Sequence, residues 1–357
     1  MIYYLLFISI FTSIFFFTGI QSNKYKLLSN IQENWSWNKD EEIGTEPDPR
    51  IKINPASRLN AYKLKEGIFL LREKKYISFS SDILTEFPIL GKGYVTYKKI
   101  GDKVSYFSSD GEILWEKPYK SYPKFSPQGD LALFISGDGN QILIGDINGN
   151  SIGKQQLDGR FLTDISYPVI NKGALILFSG GEYYKVDHKG NLVFKYNEVE
   201  QKDLYFYKSA SISPNAKFSA LHFLKKERDY IILLNEKGEK VSIINLEEVY
   251  PHKLFIATSD DGITLVNSPS SIAFYSPAGK IISKISKKNR EGVYQIAFFS
   301  GKIFIASFEN YLYFFDSDSN LIRKKEIDSF PARILPSNDT DSFFLETAKE
   351  IISFQVF

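Results

Sequence analysis

The chain has 357 residues, of which 44 are basic and 42 acidic, for a formal charge of +2. That balance offers no electrostatic footprint for nucleic acid, and a basic set made mostly of lysine is poorly suited to bidentate phosphate recognition. Cysteine is absent, which excludes disulfides, thiolate metal sites, Cys-attached haem and lipid attachment through an N-terminal Cys. Apolar residues make up 43% of the chain and aromatic residues 15%, enough for a large core with broad sheet interfaces.

Met1 to Ile20 is apolar and uncharged. As a helix, twenty such residues span about 30 Å, the hydrocarbon thickness of a bilayer. Residues 1–22 are therefore expected to be an N-terminal hydrophobic helix, acting as a transmembrane anchor or a signal peptide. No Lys or Arg precedes this run, while Lys24 and Lys26 follow it, and the positive-inside rule alone would leave the rest of the chain in the cytoplasm. The excess is small and Asp40-Glu-Glu42 soon offsets it. The expectation is a cell-envelope protein, membrane-anchored or secreted, with its main domain on the exported side, as in a bacterial periplasm.

Residues 23–60 are polar and carry Pro47, Pro49 and Pro55. They read as a linker that holds the following domain off the bilayer. Trp35-Ser-Trp37 stands out within them. Read as a functional arm, the two tryptophans sit at the membrane interface or dock on the side of the domain, so Trp35 and Trp37 are the expected partner-binding residues. Asn34-Trp-Ser36 and Asn338-Asp-Thr340 match the glycosylation sequon, a short pattern that often arises by chance.

From residue 61 onward, short aromatic and β-branched runs alternate with turns, as strands do. One turn recurs: an apolar residue, then Asp, Asn or Ser, two further residues, and Gly. Its copies are Phe107-Ser-Ser-Asp-Gly111, Gly145-Asp-Ile-Asn-Gly149, Val186-Asp-His-Lys-Gly190, Leu234-Asn-Glu-Lys-Gly238 and Tyr275-Ser-Pro-Ala-Gly279, with Phe315-Asp-Ser-Asp-Ser319 lacking the final Gly. The polar residue starts the turn by bonding backbone ahead of it, and Gly supplies the positive φ that closes it. A second signature keeps phase with the first: Phe125-Ser-Pro-Gln-Gly-Asp130 and Ile212-Ser-Pro-Asn-Ala-Lys217, with degenerate copies at Ile165-Ser-Tyr-Pro168 and Thr258-Ser-Asp-Asp-Gly262. A period of roughly forty residues built from strands and tight turns specifies a β-propeller. A β-sandwich predicts turns every 8–12 residues and no such super-period. The expected fold is all-β, a propeller of seven four-stranded blades over residues 61–357, with eight blades as the alternative. In the seven-blade reading, residues near 60–83 donate the strand that completes the blade begun at Phe343.

The Ser-Pro-x-Gly-Asp turn before an apolar strand resembles the WD40-like repeats of TolB-type bacterial propellers. Ser109-Asp-Gly-Glu-Ile-Leu-Trp115 resembles the quinoprotein-like (PQQ-like) repeat. The resemblance spans roughly residues 60–357 and implies the fold. The Gly-His and Trp-Asp dipeptides of true WD40 blades are absent, as is the regular tryptophan docking of quinoprotein dehydrogenases, since only Trp35, Trp37 and Trp115 occur.

No catalytic, cofactor or metal constellation assembles. His188, His222 and His252 fall at unrelated places in the repeat and none has metal-ligand spacing. His188 belongs to a turn and His222 to a strand wall. Asp316-Ser-Asp-Ser-Asn320 opens like a calcium loop, but Leu321 stands at the Gly position and Ile327 at the terminal Glu position. The expectation is a non-enzymatic scaffold that binds a protein partner, with no cofactor and no nucleic acid. The alternatives are a quinoprotein-like enzyme with its site at the central channel, and a glycan-binding propeller. Tyr119, Tyr122, Tyr167 and Tyr250 are the aromatics the glycan reading requires, and packing between blades is the competing role for each.

Overall fold

Both recurrent turns close on themselves. Asn150 N donates to Asp146 Oδ1 (2.9 Å), Asn191 N to Asp187 Oδ1 (2.8 Å), Glu239 N to Asn235 Oδ1 (2.9 Å) and Asn320 N to Asp316 Oδ1 (2.8 Å). Where the leading residue is Ser, its hydroxyl accepts instead, at Ser108 and Ser276. The closing residue is left-handed throughout. Gly149 has φ 72°, and Ser319 holds 69° where Gly is missing. The Ser-Pro turns work similarly, since Leu131 N donates to Ser126 Oγ and Phe218 N to Ser213 Oγ. Each turn thus reverses the chain and leaves few polar groups for anything else.

The structure is a computed structural model describing residues 31–40, 59–153, 156–197 and 205–357. The hydrophobic segment expected at residues 1–22 lies outside these. Among the described residues no helix is long and apolar enough to cross a membrane.

Strand β1 (Ile31–Asn38) comes first in the chain but belongs to the last blade. The first blade is β2 (Ala61–Leu64), β3 (Gly67–Leu70) and β4 (Lys75–Ser78), and the second is β5 (Ile83–Glu86), β6 (Tyr94–Lys98), β7 (Val104–Phe107) and β8 (Ile113–Lys117). The third is β9 (Ser121–Phe125), β10 (Ala132–Ser136), β11 (Gln141–Gly145) and β12 (Leu157–Asp158). The fourth is β13 (Leu162–Ser166), β14 (Gly173–Phe178), β15 (Glu182–Asp187) and β16 (Leu192–Asn197). The fifth is β17 (Tyr205–Ile212), β18 (Phe218–Lys225), β19 (Arg228–Asn235) and β20 (Lys240–Asn245). The sixth is β21 (Phe255–Thr258), β22 (Thr264–Asn267), β23 (Ser271–Tyr275) and β24 (Ile281–Ser286). The seventh is β25 (Ala297–Phe299), β26 (Phe304–Phe308), β27 (Tyr311–Phe315) and β28 (Leu321–Glu326). The eighth is β29 (Arg333–Pro336), β30 (Ser342–Glu346) and β31 (Glu350–Val356), completed on its outer edge by β1.

The fold is therefore an all-β propeller, and its eight blades correct the expectation of seven. The residues near 60–83 form a blade of their own rather than a donated strand. The strand that completes the last blade comes from the segment read as polar linker. β1 pairs antiparallel with β31 from Ile31↔Val356 to Asn38↔Glu350.

Strand order fixes two faces. The Ser-Pro turns join inner to second strands and the Asp-x-x-Gly turns join third to outer strands, so both lie on one face, the turn face. The second-to-third hairpins and the links between blades lie on the opposite face, the connection face. Eight core clusters fill eight seams, each shared by neighbouring blades. The seam between the eighth and first blades holds Leu335, Phe344 and Ile351 against Tyr62 and Phe69, with Trp35 and Trp37 packed on it. Trp35 meets Phe344 at 5.8 Å and Trp37 meets Phe69 at 5.6 Å between ring centroids, and Trp37 Nε1 donates to Tyr62 Oη at 3.2 Å. On the other side Lys325 Nζ reaches Glu33 at 2.8 Å and Arg323 donates to Ile31 O at 2.6 Å. β1 therefore links the seventh, eighth and first blades.

Replacing either tryptophan opens this seam. Trp35→Ala and Trp37→Ala are each expected to lower unfolding free energy by about 2 kcal/mol, below the cost of a fully buried aromatic because both are half-buried. Leu114→Ala, on the exposed outer strand of the second blade, is expected to change it by less than about 0.5 kcal/mol. Urea unfolding followed by tryptophan-independent circular dichroism distinguishes the two classes.

Candidate functional site

The inner strands wall the central channel, and their charged groups are paired. Glu86 on β5 is bracketed by Lys63 (2.7 Å) and Lys124 (3.3 Å). Asp164 on β13 accepts from Ala210 N at 3.0 Å and lies 3.7 Å from Lys253. Burial raises the Asp164 pKa, and those partners offset only part of that. Tyr97 is pushed up to about 12 by burial and by the nearby Glu86.

Three further titratable groups are buried between blades. Lys208 Nζ bonds Asp229 Oδ1 at 2.7 Å and Tyr250 O at 2.5 Å, and Asp229 Oδ2 accepts from Tyr250 N at 2.5 Å. His222 Nε2 stands 3.3 Å from Asp229, and its Nδ1 accepts from Leu254 N. Burial lowers the His222 pKa, which keeps the ring neutral. For Asp229, burial works to raise the pKa, but His222, Lys208 and the Tyr250 amide outweigh it and hold the carboxylate charged. The group ties the fifth blade to the link entering the sixth.

Lys39 and Lys287 occupy equivalent places, each just beyond an outer strand. Lys39 N donates to Lys349 O and Lys287 N to Ser270 O. Lys39 Nζ has a carboxylate, Glu346, at 2.7 Å, and Arg333 meets the same Glu346 at 2.6 Å. Lys287 Nζ instead meets Asn267 Oδ1 at 2.6 Å and Ser268 O at 2.5 Å, under the Phe308 ring at 4.3 Å. Without a countercharge, burial pulls Lys287 down to about 7.

The expected site residues disperse around the ring. Trp35 and Trp37 lie on β1, half-buried in the last seam. His188 is exposed in its turn, His222 is buried at 0% exposure, and His252 is exposed in a link between blades. Among the described residues no group of three His, Cys, Asp or Glu side chains is placed to hold a metal ion. Asp316 spends its carboxylate on the turn, accepting from Asp318 N, Asn320 N and Asn320 Nδ2. Tyr119 packs on Phe134 at 4.7 Å and donates to Gly149 O. Tyr122 packs on Tyr97 and donates to Lys99 O. Tyr167 joins the core between the third and fourth blades, and Tyr250 is buried with its hydroxyl 3.1 Å from Ser270 Oγ. The buried charges were missed by sequence reasoning. Their one signal was Asp229, a lone acid leading the apolar run Tyr230-Ile-Ile-Leu-Leu234.

The two faces differ in what they expose. On the turn face, away from the outer strands, the exposed large apolar residues among the described ones are Ile170 and Phe357. The connection face exposes Leu84, Ile100, Phe161, Phe206, Val249 and Val293, with Ile100 94% exposed. Two concavities open on the same face. One of about 590 Å³ lies between the first and second blades, with Leu64, Phe79, Ile83, Leu84 and Tyr97 in its wall. Another of about 320 Å³ lies at the third blade, by Pro118, Tyr119 and Phe134. Apolar surface beside open concavities is suited to holding another macromolecule.

These features define an eight-bladed propeller whose exposed large apolar side chains away from the outer strands lie, among the described residues, mainly on the connection face. No protein-family model matches the chain, and no curated protein matches it. Among solved structures it is similar to BamB from Moraxella catarrhalis, at 14% identity and a TM-score of 0.51, over 91% of this chain and 99% of that one. It is also similar to the Dos1 propeller, at 11% identity and a TM-score of 0.56, over 92% of this chain and 96% of that one. At such identities the likeness establishes the fold.

Two stability predictions follow from the buried charges. Lys208→Met strands Asp229 and is expected to cost about 3–5 kcal/mol, much of it recovered by the double variant Lys208→Met/Asp229→Leu, as read by urea unfolding. Lys287 has the opposite character. Its pKa is about 7 folded against 10.5 as the ordinary value, so between these pH values the unfolded chain holds a proton that the folded chain lacks, and stability rises with pH. The penalty is full below pH 7 and gone above the ordinary lysine range. Lys287→Met is therefore expected to stabilise most at pH 6 and progressively less as pH rises toward 10, a trend that melting temperatures across that range will reveal.

Proposed function

We propose that the protein is a non-enzymatic scaffold of the cell envelope, tethered to the membrane through residues 1–20, that holds a protein partner on its connection face. The observation that carries this reading is the asymmetry of the faces. The leading Asp, Asn and Ser side chains of the Asp-x-x-Gly turns bond their own backbone, while the connection face gathers exposed apolar side chains beside its two larger concavities. Propeller loops collected on one face make a broad platform that needs no catalytic group. Trp35 and Trp37 keep part of their surface free beside the closing strand and are proposed as further partner contacts. The paired state of Glu86, Asp164 and Glu346 favours a scaffold over an enzyme working at the channel. The near-neutral charge of the chain favours a protein over a nucleic acid as partner.

The test is site-resolved. A photo-crosslinking residue is placed at Ile100, Phe161 or Val249, and at Ile170 as the turn-face control, in the full chain in its native membranes. The expected outcome is one recurrent protein crosslinked from the first three positions and not from Ile170. Equal capture from both faces, or none from the connection face, would overturn the assignment.

A further inference from the structure

The repeat shows one seam filled differently from its counterpart. In the fifth blade, a row of side chains toward the connection face consists of Tyr207, Phe223 and Tyr230, paired in register across β17, β18 and β19. Their rings stack at 5.0 and 5.4 Å and pack into the seam with the fourth blade. The shared turns align the third blade with the fifth. Leu131 matches Phe218 and Asp146 matches Asn235, so Ser136 matches Phe223 and Gln141 matches Tyr230. Ser121, which pairs with Ser136 as Tyr207 does with Phe223, completes the row. Three aromatic rings are thus replaced by two hydroxyls and a carboxamide.

The concavity of about 320 Å³ at the third blade lies where these smaller side chains stand, and its size suits a small ligand. Phe134 and Leu143, paired one row closer to the turn face, give it an apolar floor. Pro118, Tyr119 and Lys120, in the link from the second blade, form another wall, with Tyr119 half-buried against Phe134. Ser136 Oγ is spent, donating to Asp138 Oδ1 at 2.6 Å and accepting from Gln141 N. Ser121 Oγ is buried and has no hydrogen-bond partner among the described residues. The exposed Gln141 carboxamide has none there either. Among the described wall residues Lys120 alone is charged.

We propose that this pocket binds a single neutral sugar ring. A sugar ring presents a hydroxyl edge and C–H faces, and the pocket offers a complement to each. The Gln141 carboxamide and the Ser121 hydroxyl both donate and accept. Tyr119, Phe134 and Leu143 supply apolar and aromatic surface for the C–H faces. With one lysine and no arginine in the described wall, little is present to hold a phosphate or a carboxylate. The site does not depend on a protein being held on the connection face.

The test uses the full chain in a detergent without a sugar headgroup, and saturation-transfer NMR with glucose, galactose, mannose and N-acetylglucosamine as probes. At least one of these is expected to show saturable transfer to its ring C–H protons. Gln141→Tyr gives the third blade the residue that the fifth carries at the same place. It is expected to abolish the transfer while leaving the circular dichroism spectrum unchanged. Gln141→Ala is expected to weaken binding about fivefold through lost hydrogen bonds. Gln32→Ala, on β1, is expected to leave it unchanged. Transfer to none of the sugars, transfer that survives both Gln141 variants, or transfer lost equally in Gln32→Ala would overturn the proposal. So would transfer only to the peptide acetyl-Pro-Tyr-Pro-amide, run as a further probe, which would make the pocket a peptide site.

Discussion

The fold depends on closure of a ring whose sheets cannot bury their faces alone. Each blade is covered on both sides only when both neighbours are present, so the eight apolar seams stand or fall together. Seven seams join blades that follow one another along the chain. The eighth joins the C-terminal blade to the first, and there β1 supplies both the missing hydrogen-bonded edge and two large aromatic side chains. Trp35, Trp37, Tyr62, Phe69 and Phe344 form one packed group across that seam. Glu33 and Ile31 hold the same strand to the seventh blade. A polar stretch with two tryptophans becomes a strand because its aromatic residues meet an apolar seam and its backbone meets the free edge of β31.

The same economy governs polar groups. Carboxylates and amides that lead the Asp-x-x-Gly turns bond within those turns, so Asp316 and its equivalents build turns rather than an ion site. Buried charges sit instead in the seams, where they tie a blade to the link beyond it. Lys39 with Glu346 and Lys287 with Asn267 are two versions of one position, and the exchange of a carboxylate for an amide leaves Lys287 without a countercharge, so burial pulls its pKa down to about 7. The loops of the connection face close no repeated turn, so apolar residues such as Ile100, Phe161 and Val249 are left exposed there, and this is where the scaffold reading locates its partner.

Much of the architecture was legible in the sequence because it is local. An Asp or Asn that caps its own turn and a Gly at positive φ leave their mark within five residues, and six such turns in phase announce the repeat. The turn copy at Phe315-Asp-Ser-Asp-Ser319 was readable even without Gly, since Asp316 and Asn320 keep the bonding pattern. The first blade was misread for an equally local reason. Its turn between β3 and β4 uses Lys74 at φ 50° in place of Gly, so the signature is missing there. The four tyrosines of the glycan reading could not be assigned from spacing, because whether an aromatic is exposed or packed depends on the neighbouring blade.

By itself, the sequence determined the all-β class, the four-stranded repeat, the self-closing turns and the absence of any thiol chemistry, since each rests on residues near one another in the chain. Tertiary structure alone decided the number of blades, the source of the closing strand and the pairing of Lys208 with Asp229. It also decided on which face the exposed apolar side chains gather. These depend on contacts between residues as much as three hundred positions apart, such as Lys39 with Glu346. A turn is written in a few neighbouring residues, whereas the closure of a ring is written only in the fit of its two ends.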